Sequence, residues 1–224
     1  MTKGNSAGRL KVLFAFILLF GPASVLIFLG TRGCEHKFKE LDDYGQLHAY
    51  SFIDANGKKH HSSEFRDKVI LIANLQTTCP DNCAISVWHL DQMIYQRIRS
   101  NKNEKNEVKI ISFVMDENGN PVDDISAASE MLEDLVEDYD PEIWMVAKGD
   151  PQEIYQIESN GENLYREGEE FFGGKSYTEL MLLVDKKNHL RMTMSGKQEG
   201  YVRRMYEHIA LLLKQYDKES KENK

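Results

Sequence analysis

The chain has 224 residues, and its 28 Lys and Arg against 36 Asp and Glu give a formal net charge of −8. This acidic balance argues against a nucleic-acid partner, which requires basic patches. Once the two ends are set apart, the length leaves room for one domain of ordinary size with its own core.

The first predicted element is a membrane-spanning helix at residues 12–30, the anchor. The segment contains no charged residue, is rich in Phe, Leu and Ile, and approaches the ~20 residues that a helix needs to span a bilayer. Three basic residues, Lys3, Arg9 and Lys11, precede it. The positive-inside rule therefore places residues 1–11 in the cytoplasm and the chain beyond the anchor outside it.

Two alternatives to an uncleaved anchor stay open. The segment is compatible with a cleaved signal peptide, although the apolar core of a signal peptide is usually only ~7–15 residues long. Thr31–Cys34 resembles a lipoprotein processing site, which would place a lipid on Cys34, although Arg32 fits such a site poorly.

The chain beyond the anchor divides into a tether at residues 31–48, a folded domain at 49–216 and a charged tail at 217–224. The domain opens with a predicted hairpin, because the turn Asp54–Gly57 contains Asn-Gly, which accepts positive φ. The strand that follows, Val69–Leu75, is apolar throughout, as is typical of a central strand covered on both faces.

Strands and helices alternate through the rest of the domain. The remaining predicted elements are a helix with apolar positions from Cys83 to Ile98, a polar loop at 100–107, a strand Val108–Val114, a helix face at 125–139, a strand Ile143–Ala147, a helix starting at Asp150-Pro151, a Gly-rich acidic loop at 158–176, an antiparallel pair Leu180–Val184 and Leu190–Thr193, and a helix at 202–216. This order predicts an α/β fold in which helices flank a mixed central sheet.

The strongest chemical signal is the pair Cys79 and Cys83, which directly follows the central strand and opens the next helical pattern. A helix N-terminus favours thiolate over thiol. Thiolates bind soft metals and carry out disulfide exchange. A purely structural disulfide is the plain alternative, but so short a loop constrains little unfolded-chain entropy. The pair therefore predicts redox chemistry, soft-metal binding, or both, in a thioredoxin-like layout.

Four stretches resemble the Sco/SenC family of membrane-anchored, thioredoxin-like proteins. They are Thr78–Cys83, with three residues between the cysteines, the strand end from Ser112 to Asp116, Trp144–Pro151 and Leu183–Asp185. The resemblance implies a single-pass protein of the inner membrane whose C-terminal domain faces the periplasm.

The same resemblance implies a function. Family members bind copper through the two cysteines, here Cys79 and Cys83, and a distal histidine. They help to mature the binuclear copper site of cytochrome c oxidase, as metallochaperones or as thiol reductases. The implied partners are a subunit of the respiratory oxidase or a periplasmic thiol or copper protein.

The chain departs from the family pattern at the third copper ligand. Counting back eight residues from Asp185, where the family has its histidine, leads to Tyr177, and no histidine occurs between His89 and His189. A phenol is a hard oxygen donor and a poor ligand for Cu(I), which prefers thiolate, thioether and imidazole. Copper as a cofactor is therefore open, with His189 or Met181 as substitute donors, while thiol chemistry is untouched.

We expect the other candidate ligands to lie at the surface or to serve packing and not to bind a metal. His60 and His61 in the hairpin are expected to be solvated, and His89 is expected at the surface or the edge of the core. Met192 and Met194 share one face of a strand, and we expect them to serve packing.

Three functions stay open on the sequence. The first is a copper-linked assembly factor of the Sco type, and the second is a copper-independent thiol–disulfide oxidoreductase. The third is a redox sensor whose cysteines switch the binding of a partner. The spacing of the cysteines favours the first, and Tyr177 in place of a histidine favours the second.

Overall fold

The computed structural model describes residues 6–32, 40–76, 85–116, 118–156, 158–159, 162–163 and 177–222. The chain divides into two compact units, Met1–Lys39 and Glu40–Lys224. The described part of the first unit, residues 6–32, is the helix α1, Ser6–Arg32, with Pro22 inside it. Across the described parts of both units, no helix combines the length and the apolarity that crossing a membrane requires.

The second unit is built from short strands and helices. In chain order they are β1 Ser51–Asp54, β2 Lys59–His61, a 3₁₀ turn Ser62–Phe65, β3 Val69–Gln76, α2 Val87–Leu90, a π-helical turn Asp91–Tyr95, α3 Gln96–Ser100, α4 Lys102–Glu107, β4 Val108–Met115, α5 Ser126–Leu135, β5 Trp144–Lys148, α6 Pro151–Tyr155, β6 Glu158–Ser159, β7 Glu162–Asn163, a 3₁₀ turn Tyr177–Glu179, β8 Leu180–Val184, β9 Leu190–Ser195 and α7 Glu199–Glu222.

Seven of these strands form one mixed sheet in the order β2-β1-β5-β4-β3-β8-β9. β4 runs parallel to both β3 and β5, whereas β8 runs antiparallel to β3 and β9 antiparallel to β8. The predicted mixed sheet, finished by an antiparallel pair, is therefore confirmed. The predicted hairpin is confirmed too: β1 pairs antiparallel with β2, and Gly57 in the turn has φ +78°.

Apolar side chains of β3 enter two cores, one on each face of the sheet. Val69, Leu71 and Leu75 pack into a core covered by α2, α3, α5 and α7, whereas Ile70 and Ile72 pack into a second core closed by α6 and the segment before β1. Side chains alternate across a strand, so a strand buried on both faces is expected to be apolar at nearly every position. The prediction that β3 is a covered central strand is confirmed.

The prediction of a polar loop at 100–107 is wrong, because α4 occupies most of this segment. Asn101 caps this helix: its side chain accepts a hydrogen bond from the backbone N–H of Asn103 (3.1 Å) and donates one to Glu104 (2.7 Å). Glu104 is buried and accepts a hydrogen bond from the hydroxyl of Tyr206 on α7. A distant contact therefore stabilises a helix whose own sequence is polar.

Two further helices differ from their patterns. The helix after the cysteines is interrupted by the π-helical turn Asp91–Tyr95, which no apolar spacing announced. The last helix continues past Tyr216 to Glu222. By contrast, the predicted start at Asp150-Pro151 is confirmed, since the Asp150 side chain accepts a hydrogen bond from the backbone N–H of Gln152 (2.9 Å).

Candidate functional site

The carboxyl end of β3 positions the candidate site. β3 pairs with the parallel strand β4 along its whole length, from Val69 opposite Val108 to Gln76 opposite Met115. The connection that leaves β3 at residue 77 carries both cysteines of the predicted pair. Cys79 and Cys83 lie in 77–84, outside the described residues, so their pairing stays a prediction.

The chain returns from this connection at Ile85, which is buried. Ile85 packs so closely on Gly196, just after β9, that a Cβ on the glycine would lie 2.7 Å from Ile85 Cγ1. Helix α2 then begins at Val87, with the Ser86 hydroxyl accepting a hydrogen bond from the backbone N–H of His89 (3.3 Å). The expectation that Cys83 itself opens this helix is wrong, because Ser86, three residues later, is its N-cap.

Tyr177 belongs to the same edge of the sheet as the cysteine connection. β8 pairs antiparallel with β3, with Ile70 opposite Val184 and Ile72 opposite Leu182. The start of β8 therefore lies beside the end of β3, and the 3₁₀ turn that contains Tyr177 directly precedes β8. The side chain of Tyr177 is outside the described part of the structure. The backbone topology nevertheless places the turn that contains Tyr177 at the edge of the sheet where the cysteine connection leaves β3.

A buried tyrosine that sequence reasoning missed joins these segments. The hydroxyl of Tyr155, on α6, donates a hydrogen bond to the Leu180 carbonyl (2.6 Å) and accepts one from the Asn74 side chain (3.1 Å). Tyr155 and Asn74 are both almost completely buried. The link fixes the beginning of β8 against β3 immediately before the cysteine connection. The signal in the sequence was Asn74, a polar residue within the apolar run Val69–Leu75.

The end of β4 contributes a tight turn at the same edge. The Asp116 carboxylate accepts hydrogen bonds from the backbone N–H groups of Asn118 and Asn120, both at 2.8 Å, and from the Asn120 side chain at 3.0 Å. These bonds, with the Asn120 side chain first, hold the pKa of Asp116 below its usual range. Asp116 is therefore an anionic turn residue that organises the loop after β4.

The tryptophan stretch that supports the family resemblance is structural. Trp144 is fully buried and donates a hydrogen bond from Nε1 to the Ser112 hydroxyl (2.9 Å). Gly149 lies so close to Phe113 that a Cβ would approach its ring to 3.0 Å. These residues secure the packing of β4 against β5 rather than a reaction centre.

His189 lies at the opposite end of the sheet from the cysteine connection. It follows the turn after β8, and β8 has five residues, which is about 16 Å of strand at 3.3 Å per residue. Its Nδ1 lies 2.8 Å from Asp43 Oδ2. A contribution of His189 to the candidate site is therefore contradicted by the topology.

The methionines that resembled copper ligands belong to the core. Met181 on β8 lies opposite Met194 on β9, and both are buried, while Met192 is partly buried against the same core. The prediction that Met192 and Met194 serve packing is confirmed. His89 lies at the edge of the core, as expected, and is partly buried.

The prediction that His60 is solvated is wrong. The side chain is buried between two carboxylates. Its Nε2 lies 3.0 Å from Asp54 Oδ2 and its Nδ1 lies 3.0 Å from Glu64 Oε2, while its ring stacks on Phe52. Both nitrogens can donate at once only in the imidazolium form. The hairpin therefore holds a buried imidazole between two carboxylates.

This arrangement lowers the pKa of both carboxyl groups. Burial alone would raise the pKa of Asp54, but hydrogen bonds from His60 and from the backbone N–H groups of Lys58 and Asn56 lower it overall. The pKa of Glu64 is lowered first by the backbone N–H of His61 and then by the His60 ring. Both groups are therefore more acidic in the folded protein than in the unfolded chain.

No group of three or more His, Cys, Asp or Glu side chains within the described residues could hold a metal ion. The predicted copper donors Cys79 and Cys83 lie outside those residues. By donor chemistry, two thiolates suit Cu(I), whereas a phenol at position 177 does not. The sequence therefore predicts two fitting donors, Cys79 and Cys83, and an unsuitable one, Tyr177.

Comparisons with known proteins agree with this architecture. The family model SCO1/SenC matches residues 40–214. Among curated proteins, none matches the chain.

Several solved structures share the fold at low identity. One was solved in the identification of a disulfide switch in BsSco, a member of the Sco family of cytochrome c oxidase assembly proteins. It is 17% identical, with a TM-score of 0.53, over 78% of this chain and 97% of that one. Copper-bound ScoI from Arabidopsis thaliana is 17% identical, with a TM-score of 0.51, over 77% of this chain and all of that one. A SCO1/SenC family lipoprotein from Bacillus anthracis is 16% identical, with a TM-score of 0.52, over 77% of this chain and 99% of that one. The fold is therefore the thioredoxin-like fold that the sequence predicts.

Proposed function

Because this chain belongs to the SCO1/SenC family, we propose that it acts in the maturation of the copper site of cytochrome c oxidase through reversible oxidation of Cys79 and Cys83. The observation that carries the proposal is the shared edge of β3 and β8. At this edge the cysteine connection leaves β3, and the turn that contains Tyr177 leads into the neighbouring strand β8. One structural relative is a Sco family protein in which a disulfide switch was identified, and another was solved with copper bound. The first supports the redox part of the proposal and the second supports the copper part.

The proposed redox step is thiol–disulfide exchange with a partner. The thiolate of one cysteine attacks a sulfur of the partner's disulfide and releases one partner thiolate, which gives a mixed disulfide. The second cysteine then attacks the mixed disulfide and releases the other partner thiolate. Cys79 and Cys83 together lose two electrons and two protons, and the partner disulfide gains them.

Copper is a cargo in this proposal, with a weaker hold than in a histidine-bearing relative. Cys79 and Cys83 would hold Cu(I) as thiolates, and Tyr177 replaces a nitrogen donor by a hard oxygen. The competing proposal is a copper-independent thiol–disulfide oxidoreductase or redox sensor. The observation that favours this competing proposal is the tyrosine at position 177 in place of a histidine.

The proposed location is the inner membrane, with residues 12–30 as a single anchor and the domain in the periplasm. The absence of charge in this segment and the three basic residues before it support the proposal. A reporter that is active only after export, fused to the C-terminus, should be active. Activity of a cytoplasmic reporter at that position would reverse the topology.

Alkylation followed by mass measurement tests the redox proposal. After mild oxidation, the wild-type chain should show one intramolecular disulfide, and reductant should restore two alkylatable thiols. Cys79→Ser and Cys83→Ser should each abolish the disulfide, whereas the matched control Cys34→Ser should retain it. Two freely alkylated thiols at Cys79 and Cys83 after oxidation would contradict the proposal.

Copper competition separates the two candidate functions. Tyr177→His should hold Cu(I) more tightly than the wild type against a copper chelator, because imidazole is the better donor. Tyr44→His, at the opposite end of the sheet, is the matched control and should leave the affinity unchanged. If the wild type already holds one copper as tightly as Tyr177→His does, another donor completes the site and the copper-independent alternative fails.

A further inference from the structure

A cavity, which we call the basal cavity, lies at the end of the sheet opposite to the cysteine connection. Three chain segments form it: residues 46–49 before β1, the connection from His61 to Asp67 after β2, and the turn Lys186–Asn188 between β8 and β9. Its volume is about 460 Å³, which is within the ~300–1,000 Å³ that is typical of small-molecule sites.

Hydrogen bonds between the segments hold the walls of the basal cavity in place. Leu47 and Asn188 are joined twice, by the Leu47 N–H to the Asn188 carbonyl and by the Asn188 side chain to the Leu47 carbonyl, both at 2.9 Å. The N–H of Asp67 donates to the carbonyl of Lys186 (3.2 Å). Hydrogen bonds therefore connect all three segments, so the cavity is formed before any ligand binds.

The basal cavity is cationic although the chain as a whole is acidic. Arg66, Lys186 and Lys187 line it against a single carboxylate, that of Asp67. Lys186 is engaged by Glu107. Arg66 and Lys187 are exposed, and within the described parts of the chain neither has a carboxylate at ion-pair distance. Two cationic side chains are thus available to a ligand.

We propose that the basal cavity binds a phosphate-class oxyanion. The planar guanidinium of Arg66 offers paired N–H donors that match two phosphate oxygens, and the ammonium of Lys187 adds a second positive charge. Asp67 opposes the anion and limits its affinity. Free phosphate and the headgroup of an anionic phospholipid share this chemistry. The site uses no cysteine and is independent of the redox function proposed above.

Calorimetric titration of the full chain in non-ionic detergent, near neutral pH and at low ionic strength, tests this site. The probes are inorganic phosphate and dihexanoyl phosphatidylglycerol, with dihexanoyl phosphatidylcholine as the zwitterionic comparison. We expect saturable binding of at least one anionic probe. A preference of at least tenfold for the anionic lipid over phosphate identifies a headgroup as the source, and the reverse preference identifies free phosphate.

Matched variants decide whether the cavity is responsible. Arg66→Gln and Lys187→Gln should each weaken binding by about tenfold, the scale of one charge-assisted hydrogen bond. Arg66→Lys keeps the charge and should recover part of the loss, and Asp67→Asn should tighten binding. Lys214→Gln removes the same charge from an exposed position on α7 and should change binding less than twofold.

Three results would overturn the proposal. They are the absence of saturable binding of either anionic probe, equal binding by the wild type and the double variant Arg66→Gln/Lys187→Gln, and a loss in Lys214→Gln as large as in Arg66→Gln. Urea midpoints of all variants should match the wild type within error. The gain expected from Asp67→Asn keeps the test decisive if a loss variant folds poorly.

Discussion

Replacing Gly196 with alanine should disturb the place where the chain returns from the cysteine connection. A Cβ on residue 196 would lie 2.7 and 2.8 Å from the two γ-carbons of Ile85 and 3.1 Å from its Cβ. Ile85 is only 2% exposed, so its side chain has no solvent to move into. The added methyl must displace Ile85 or the start of α7, and the strain falls two residues after Cys83.

Overpacking of this kind costs about 1–3 kcal/mol. Gly196→Ala should therefore lower the urea midpoint with an unchanged m-value, and should lower the Tm by roughly 2–4 °C for each kcal/mol in a domain of this size. Gly200→Ala on α7 is the matched control, because a Cβ there meets nothing within 4 Å. It should stabilise by about 0.5–1 kcal/mol, since alanine is the better helix former.

A double-mutant cycle tests whether Ile85 is the cause. Ile85→Ala alone should cost about 2–5 kcal/mol, because it leaves a cavity. In Gly196→Ala/Ile85→Ala the new methyl occupies part of that cavity, so the combined cost should fall below the sum by at least about 1 kcal/mol. Additive costs, or equal midpoints for Gly196→Ala and Gly200→Ala, would refute the steric argument.

Two further predictions concern side chains that form ion pairs or charged hydrogen bonds in the fold. The lowered pKa values of Asp54 and Glu64 mean that these groups stabilise the fold at pH values above their ordinary pKa of ~4, and that this contribution is lost as pH falls through their folded values. His60→Gln should therefore make the urea midpoint less dependent on pH below about 5, and an unchanged acid slope would contradict this. Asp185 is buried in an ion pair with Arg191 at 3.0 Å, so Asp185→Asn should cost about 3–5 kcal/mol. The value should lie toward the lower end because Arg191 also donates to two backbone carbonyls, and a loss under about 1 kcal/mol in urea unfolding would exclude it.

The central sheet could be predicted because its signal is local. β3 is apolar at nearly every position, and only a strand covered on both faces requires that pattern. The hairpin and the start of α6 were predictable for the same reason: Asn-Gly and Asp-Pro act on the backbone of the residues beside them. Such features need no knowledge of what lies across the fold.

The errors arose where a distant partner decides the outcome. Helix α4 is polar in sequence, but Glu104 is buried against Tyr206, about a hundred positions further along the chain. His60 looked like a surface residue, although Asp54 and Glu64 from neighbouring turns make its burial favourable. Nothing in the local sequence distinguishes a polar residue with such a partner from one that faces water.

The segment before β1 shows how a predicted tether acquires contacts. The guanidinium of Arg191 donates to the carbonyls of Leu41 and Asp42, and the N–H of Tyr44 donates to the Leu190 carbonyl at 2.9 Å. The sequence of the segment gave no sign of these partners, because backbone carbonyl acceptors leave no mark in the sequence. The boundary between tether and domain stays a prediction.

The topology narrows the choice of a third copper donor more than the sequence did. β8 runs antiparallel to β3, so its first residues and the carboxyl end of β3 share an edge, and its last residues lie about 16 Å away at 3.3 Å per residue. His189 follows that distant end and pairs with Asp43, which removes it as a donor. Met181 is fully buried against the core, so its thioether would have to leave its packing to bind a metal. The turn that contains Tyr177 directly precedes β8 at that shared edge. The part of Tyr177 in copper binding stays a prediction, which the copper competition with Tyr177→His tests.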